Sequence, residues 1–164
     1  MEKALLSVVI PTFNAASTLA ATIDSLDSQL IGVDYEVVVT DGASSDASLA
    51  IAEAKGARFI SVAHGRGAQL AAGGDAARGD WLLFLHADTV LGESWRMEAA
   101  AFMASADNAQ RAAVFRLCFD DRAPAARRLE IIAGWRARVL GLPYGDQGLL
   151  IGRGFYDSIG GFRP

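Results

Sequence analysis

Residues 5–11 read Leu-Leu-Ser-Val-Val-Ile-Pro, a short apolar run with β-branched residues that ends in a proline. Runs of this length and composition are typical of buried strands. Three more such runs follow, at 35–40, 58–62 and 81–85. The segments between them have helical spacing of apolar residues, at 17–30, 46–54 and 67–78. Because parallel strands need crossover connections of this kind, we predict an α/β fold, a mostly parallel sheet with helices on both faces.

The second half of the chain has a looser pattern. Its apolar spacing predicts helices at 94–106 and 124–140 and a strand at 112–119. In the first half, Asp46 is the predicted N-cap of the second helix, and Leu30 is the last apolar position of the first. We find no repeat, low-complexity tract or linker, so we expect one domain over residues 1–164.

The composition excludes several classes of protein. The chain has 164 residues, of which 52% are hydrophobic, with four prolines and a single cysteine, Cys118. These values exclude intrinsic disorder, a collagen-like repeat and a disulfide scaffold, and a lone thiol fits a reducing compartment. No apolar run approaches the roughly 20 residues that span a bilayer, and residues 1–6 lack the features of a secretion signal. We therefore expect a cytoplasmic protein, with peripheral contact at the inner face of the cell membrane left open.

Charge is unevenly distributed along the chain. The net charge is -4, but residues 1–120 carry 8 basic and 15 acidic side chains, whereas residues 121–164 carry 7 and 4. The positive excess coincides with the predicted helix 124–140, which is amphipathic and rich in arginine. Such a helix could lie on an anionic membrane or hold a phosphorylated lipid acceptor. The interpretation that we prefer is a helix packed on the sheet with its arginines in water.

Polar residues follow three of the predicted strands, where ligands bind in open α/β sheets. The candidates are Pro11, Thr12, Phe13 and Asn14 after the first strand, Asp41 after the second, and His86, Ala87 and Asp88 after the fourth. Asp41 could accept hydrogen bonds from a nucleobase or a ribose, and Asp88 could hold a hard divalent cation that His86 also faces. Each has a structural alternative: Pro-Thr as a strand terminator, Asp41 in a tight turn, Asp88 as a helix cap and His86 as a core-edge histidine bonded to a neighbour.

A glycine-rich segment adds a cationic side chain. Residues 65–70 read Gly-Arg-Gly-Ala-Gln-Leu, which places Arg66 at a predicted helix start, a natural site for an anion. The segment lacks the third glycine of a dinucleotide fingerprint and does not follow the first strand, so it is a weak match to that fingerprint. A Rossmann-type cofactor domain is disfavoured because the first strand ends in Pro-Thr-Phe-Asn and not in a glycine loop.

Taken together in order, four segments resemble the family-two glycosyltransferases of GT-A fold. These segments are 8–14, 39–46, 79–89 and 160–162. The sequence is most similar to a bacterial subgroup whose metal motif is His-Ala-Asp-Thr and which carries Gly-Leu-Pro-Tyr-Gly-Asp-Gln, here residues 141–147. Such a resemblance implies a nucleotide-binding half, 1–90, an acceptor-side half, 91–164, and a place in cell-envelope or polysaccharide biosynthesis.

The resemblance also implies an activity and a set of roles. The activity is metal-assisted transfer of a sugar with inversion at the anomeric carbon. The donor is a nucleotide-diphosphate sugar, commonly a UDP-sugar, and the acceptor is a sugar, a lipid or a small molecule. No nucleic acid is expected as a partner. Residues 11–14 would line the nucleoside pocket, Asp41 would contact the base, and Arg66 and Gln69 would lie near the ribose and diphosphate. Asp88 would hold Mn²⁺ or Mg²⁺ through the diphosphate, with His86 as a second and weaker ligand in place of the usual first acid.

Besides His86, two further departures from the family pattern qualify these expectations. Ala15 stands where the family often has an acid, and the sequence ends at Pro164 before the acidic pair that supplies the general base. We therefore expect a truncated transferase that binds donor but transfers sugar poorly or not at all. Asp146 is the candidate catalytic acid, with a turn aspartate as its structural alternative, and Asp157 is expected on the surface of a short helix. A non-catalytic nucleotide-sugar-binding or regulatory module is the alternative function.

Overall fold

A computed structural model describes residues 5–26, 34–62, 65–143 and 145–163. The strands are β1 (Leu5–Thr12), β2 (Asp34–Asp41), β3 (Arg58–Ser61), β4 (Trp81–Phe84), β5 (Ala112–Ala113) and β6 (Leu149–Gly152). The α-helices are α1 (Leu19–Asp24), α2 (Ser48–Ala54), α3 (Arg66–Ala76), α4 (Trp95–Ala104), α5 (Pro124–Leu140) and α6 (Arg153–Ser158). Two short 3-10 helices cover Ala106–Asn108 and Gly145–Gln147.

The strands form one mixed sheet in the order β3-β2-β1-β4-β6-β5. The first four are parallel, while β6 runs antiparallel to β4 and β5 antiparallel to β6. The mostly parallel sheet is confirmed, and its central strand β1 pairs with β2 along its whole length, from Leu5 with Asp34 to Thr12 with Asp41. The carboxyl ends of β1 and β2 therefore finish side by side.

Both faces of the sheet are covered, as predicted. On one face Val8, Ile10 and Leu83 pack with side chains from α1, α2 and α4. On the other face Val9 and Phe84 pack with side chains from α3 and α6. Since adjacent residues of β1 are buried on opposite faces, most of its positions are apolar, which is why the strand is visible in the sequence.

Helix α3 approaches the sheet closely because two of its residues have no side chain. A Cβ on Gly73 would overlap Val9, and a Cβ on Gly74 would meet the Tyr156 ring at 2.5–3.0 Å. This close packing carries the first turn of α3, with Arg66 and Gln69, to the carboxyl ends of the strands.

Several predicted elements differ in extent. The strand predicted at 112–119 is wrong beyond Ala113, although Phe115 still donates a backbone hydrogen bond to Gln147 at 2.9 Å. Helix α1 ends at Asp24, where Ser25 and Leu26 form a turn, and Leu30 lies outside the described residues. Helix α2 begins at Ser48, two residues after Asp46, whose carboxylate accepts the Ser48 backbone N–H at 3.0 Å. Asp157 lies exposed on α6, as predicted.

Candidate functional site

A polar cleft of about 490 Å³ opens at the carboxyl ends of β1 and β4, beside the first turn of α3. Nine of the ten residues predicted to contact a nucleotide sugar line it: Pro11, Thr12, Phe13, Asn14, Arg66, Gln69, His86, Ala87 and Asp88. Sequence reasoning missed three further lining residues, Ala15, Ser17 and Thr18, which lead from the predicted Pro-Thr-Phe-Asn turn into α1. The hydroxyls of Ser17 and Thr18 were the available signal, but serine and threonine before a helix are ordinary capping residues.

The loop on one side of the cleft is held by hydrogen bonds to the loop after β2. Asn14, at φ 50°, accepts the Ser45 backbone N–H on its side-chain oxygen at 2.9 Å and donates its own N–H to Ser44 Oγ at 2.7 Å. Ala16 donates its N–H to Asp46 at 2.8 Å, and hydrogen bonds from Ser48 and Ala16 lower the pKa of the Asp46 carboxyl. The cleft therefore has a preformed wall, made of two loops that are far apart in sequence.

Asp41 lies beneath this wall and is not among the cleft-lining residues. Its side chain is buried and accepts hydrogen bonds from the Thr12 hydroxyl at 3.0 Å and from the Ser44 backbone N–H at 2.7 Å, and another from the Ser44 hydroxyl. Both carboxylate oxygens are thus used inside the protein. A contact between Asp41 and a base remains a prediction, while its bonds to Thr12 and Ser44 join the ends of β1 and β2.

Gln69 has a similar structural function. It is buried, and its side-chain nitrogen donates to the carbonyl oxygens of Thr12 at 2.6 Å and Thr40 at 2.9 Å. Gly42 packs against this amide, since a Cβ there would lie 3.2 Å from it. The side-chain N–H groups of Gln69 therefore hold α3 against β1 and β2, although the residue also lines the cleft.

Arg66 and His86 pair across the cleft. The Arg66 guanidinium, which has no acceptor, donates to His86 Nε2, so this imidazole nitrogen carries no proton. Burial and the positive charge of Arg66 lower the pKa of His86 and outweigh the opposite effect of Asp88 and Asp146. His86 is therefore neutral near pH 7, and its bond to Arg66 is of the kind that the structural alternative for this residue describes.

Asp88 is the residue at the cleft that could hold a cation, whereas His86 could do so only without its hydrogen bond to Arg66, which leaves the ring proton on Nδ1. His86 Nδ1 lies 3.9 Å from Asp88 Oδ1, and the Asp88 side chain is 71% exposed. Among the described residues, no three His, Cys, Asp or Glu side chains cluster closely enough to enclose a metal ion. The donors present therefore fit a hard cation that takes most of its ligands from water and phosphate oxygens, as Mg²⁺ commonly does.

Asp146 lies in the 3-10 helix Gly145–Gln147, near enough to raise the pKa of His86. Its Oδ1 atom is buried and has no hydrogen-bond partner among the described residues. Asp146 lines neither this cleft nor the cavity beside it, so its catalytic role remains a prediction.

A second, mostly apolar cavity of about 200 Å³ adjoins the cleft. The two share Pro11, Arg66 and His86, so the Arg66–His86 pair separates a polar space from an apolar one. Phe162 also lines the cavity and packs edge-on against Phe84, with ring centroids 4.8 Å apart. The residues of the Gly-Gly-Phe segment thus lie at this second cavity.

Comparison with protein families matches residues 7–163 to the model described as glycosyl transferase family 2. Among curated proteins, PGL/p-HBAD biosynthesis glycosyltransferases of Mycobacterium tuberculosis and Mycobacterium bovis are 40% identical over 101 residues. The match covers 57% of this chain and 39% of the relatives, so the chain spans well under half of their length.

Solved structures share the fold. TarS 1-349 of S. aureus, in complex with UDP, superposes with a TM-score of 0.72 at 18% identity, covering 97% of this chain and 50% of that one. Glucosyl-3-phosphoglycerate synthase from Mycobacterium tuberculosis, in complex with Mn²⁺, UDP and its product, gives 0.67 at 22% identity, covering 93% and 58%. At these identities the likeness establishes the architecture of the chain.

Proposed function

The chain belongs to glycosyl transferase family 2, and on that premise we propose that it binds a UDP-sugar in the polar cleft and that the protein transfers the sugar to an acceptor. The observation that carries this proposal is the convergence of nine predicted donor-binding residues, from three separate segments, on one cleft of about 490 Å³. The UDP held by two structural neighbours supports a uridine nucleotide as the donor.

In our proposal the nucleoside lies against the loop of residues 11–18, and the diphosphate lies near Arg66. The hydrogen bonds of Asn14 to Ser44 and Ser45 hold that loop before ligand arrives, so little ordering is needed on binding. Arg66 is exposed and lies at the start of α3, where a guanidinium and helix N–H groups both favour phosphate oxygens.

A divalent cation fits beside Asp88, whose side chain is 71% exposed, with His86 as the weaker second candidate. When bound, Mn²⁺ or Mg²⁺ would neutralise charge on the departing diphosphate. The Mn²⁺ in the synthase supports a cation of this type. Because Arg66 donates to Nε2, the proton of the neutral His86 ring is on Nδ1, so His86 would bind a metal only after its hydrogen bond to Arg66 breaks.

We propose transfer with inversion, by a single displacement. The acceptor hydroxyl oxygen forms the new bond to the anomeric carbon while the bond from that carbon to the diphosphate oxygen breaks, and the hydroxyl proton passes to a carboxylate. Asp146 is the candidate for this carboxylate among the described residues, since its buried Oδ1 has no hydrogen-bond partner there. The low pKa of His86 keeps that side chain from adding a positive charge at the site.

We further propose that an apolar part of the acceptor enters the second cavity. Leu70, Phe84 and Phe162 make its walls apolar, while Arg66 and His86 connect it to the donor cleft. An acceptor with a hydrocarbon or aromatic portion next to its hydroxyl would fit this division.

Calorimetric titration of UDP with and without MnCl₂ tests the donor site. We expect binding that Mn²⁺ strengthens, and Asp88→Asn should remove the metal effect while leaving weaker binding of UDP alone. Asp107→Asn, at an exposed position on the 3-10 helix after α4, is the matched control and should behave as the parent chain. Absence of UDP binding would refute the donor proposal. UDP binding with the same affinity with and without Mn²⁺ would favour the alternative function, a non-catalytic nucleotide-sugar-binding or regulatory module.

A further inference from the structure

Helix α5 contacts the rest of the molecule through small residues. It runs for 17 residues, and its two buried positions are Ala126 and Ala133, seven residues apart on one side. The expectation of an amphipathic helix with its apolar face against the sheet is therefore wrong. The contact is made by these alanines and by Glu130, whose side chain is 7% exposed and accepts the Phe119 backbone N–H, while the larger aliphatic side chains are directed elsewhere.

Those larger side chains form an exposed apolar face. Of the thirteen large hydrophobic residues exposed in the described chain, seven lie between positions 129 and 142: Leu129, Ile131, Ile132, Trp135, Val139, Leu140 and Leu142. At about 100° per residue, the six within the helix cover about half of its circumference, and Ile131 and Trp135 point almost directly away from Ala133. Apolar residues concentrated in this way on a surface mark an interaction site.

The same helix is cationic on an otherwise acidic molecule. Its charged residues are Arg127, Arg128, Arg136, Arg138 and Glu130, which give the helix a net charge of +3. The net charge of the whole chain is -4, so the residues outside the helix have a net charge of -7. The helical angles place Arg128 between Trp135 and Val139, and Arg138 at the edge of the face beside Ile131. Guanidinium groups are thus placed within and beside the apolar residues, where they could reach phosphates that lie above a hydrocarbon layer.

We propose that α5 docks on an anionic lipid bilayer, lying in the plane of the interface. The apolar face enters to the depth of the acyl boundary, and Arg128 and Arg138 bind lipid phosphates. Charge favours a membrane over a second copy of the chain, because a dimer through this face would bring two helices of charge +3 together. An anionic surface attracts the helix and repels the acidic remainder of the protein, which orients the molecule. Docking of this kind would hold the donor cleft near a membrane-embedded acceptor.

The tryptophans provide a direct readout of docking. The chain has three, and Trp81 and Trp95 are 9% and 3% exposed, whereas Trp135 is 55% exposed. Solvent-exposed emission therefore comes from Trp135. Vesicles of phosphatidylcholine with phosphatidylglycerol should shift this emission to shorter wavelength and sediment the full chain, while pure phosphatidylcholine should do neither. Raising NaCl to about 0.5 M should weaken binding, since the Debye length falls to about 4 Å.

Two sets of variants separate the apolar and charged contributions. Ile132→Glu with Val139→Glu should abolish the shift, and Arg128→Gln with Arg138→Gln should weaken partitioning roughly 30-fold at low salt. Met97→Glu, at an exposed apolar position of α4, is the matched control and should bind as the parent chain does. Circular dichroism checks that each variant folds.

Three results would overturn the proposal. One is an unchanged Trp135 emission with anionic vesicles, and another is equal binding to neutral and anionic vesicles. The third is a dimer in light scattering that Ile132→Glu with Val139→Glu dissociates, which would assign the face to a second copy.

Discussion

The guanidinium of Arg66 donates a hydrogen bond to His86 Nε2, and this bond joins the start of α3 to the residues that follow β4. Both residues line the polar cleft and the apolar cavity. A ligand that spans the two spaces must therefore pass this pair, which places a positive charge at the junction.

Replacing Arg66 tests the position of the diphosphate. Arg66→Gln should weaken UDP binding by about tenfold or more, because a charge-assisted hydrogen bond contributes about 1.5–3 kcal/mol. It should also raise the pKa of His86 toward its ordinary value, since the positive charge of Arg66 is one cause of the lowering. Calorimetry and an NMR titration of the imidazole measure the two effects. Arg111→Gln, at an exposed position that lines neither space, is the control, and unchanged affinity in Arg66→Gln would place the diphosphate elsewhere.

Gln69 should contribute mainly to stability. Gln69→Leu keeps approximate size but removes both hydrogen bonds to backbone carbonyls, so we expect the free energy of unfolding to fall by about 1–3 kcal/mol. The Thr12 carbonyl keeps the N–H of Gly42 as a donor, which offsets part of the loss there. Urea unfolding followed by circular dichroism gives the value, with the exposed Gln110→Leu for comparison. A variant as stable as the parent chain would show that these two bonds contribute little.

Replacing two helical glycines by alanine should change the stability of the protein in opposite directions. Gly73→Ala should destabilise the protein by about 1–3 kcal/mol, because the new Cβ overlaps Val9 in a packed layer. Gly134→Ala in α5 meets nothing within 4 Å and should stabilise by about 0.5–1 kcal/mol through helix propensity. Thermal and urea unfolding of both variants test the pair. A stabilising Gly73→Ala would contradict the close approach of α3 to β1.

The lowered pKa of Glu36 predicts that the folded protein loses stability in acid. Partial burial alone would raise the pKa of Glu36, but hydrogen bonds from the Ser7 hydroxyl and the Arg78 backbone N–H, with the charges of Arg58 and Arg78, lower it below 4.5. The unfolded chain then binds this proton at higher pH than the folded chain, so the contribution is complete above about 4.5 and declines as the pH falls through the lowered pKa.

The pH dependence of unfolding distinguishes this residue from other acids. In Glu36→Gln the free energy of unfolding should fall less steeply below pH 4.5 than in the parent chain. Glu53→Gln, on the exposed side of α2, should retain the parent slope. Identical slopes for the parent chain and Glu36→Gln would contradict the assignment.

Much of the fold was accessible from local patterns. Strands β1 to β4 were predicted because each is apolar and short, as a strand buried between two layers of helices has to be. Strand β5 was predicted too long, because an apolar run such as 112–119 carries no information about which of its residues find a partner strand. The outward face of α5 was mistaken for a packed face for the same reason: amphipathicity shows that a face is apolar and does not show what covers it.

The sequence by itself determined the four parallel strands, their helical connections and the segments that meet at the carboxyl edge of the sheet, because these depend on periodicity and on polar residues placed directly after apolar runs. Only the tertiary structure decided how the polar groups there are used. Asp41 and Gln69 bind the protein's own hydroxyl, N–H and carbonyl groups, whereas Arg66 and Asp88 remain exposed at the cleft. That division depends on contacts between residues 20 to 57 positions apart, such as Arg66 with His86 and Thr12 with Gln69, and no local pattern encodes which polar partners such distant residues will find.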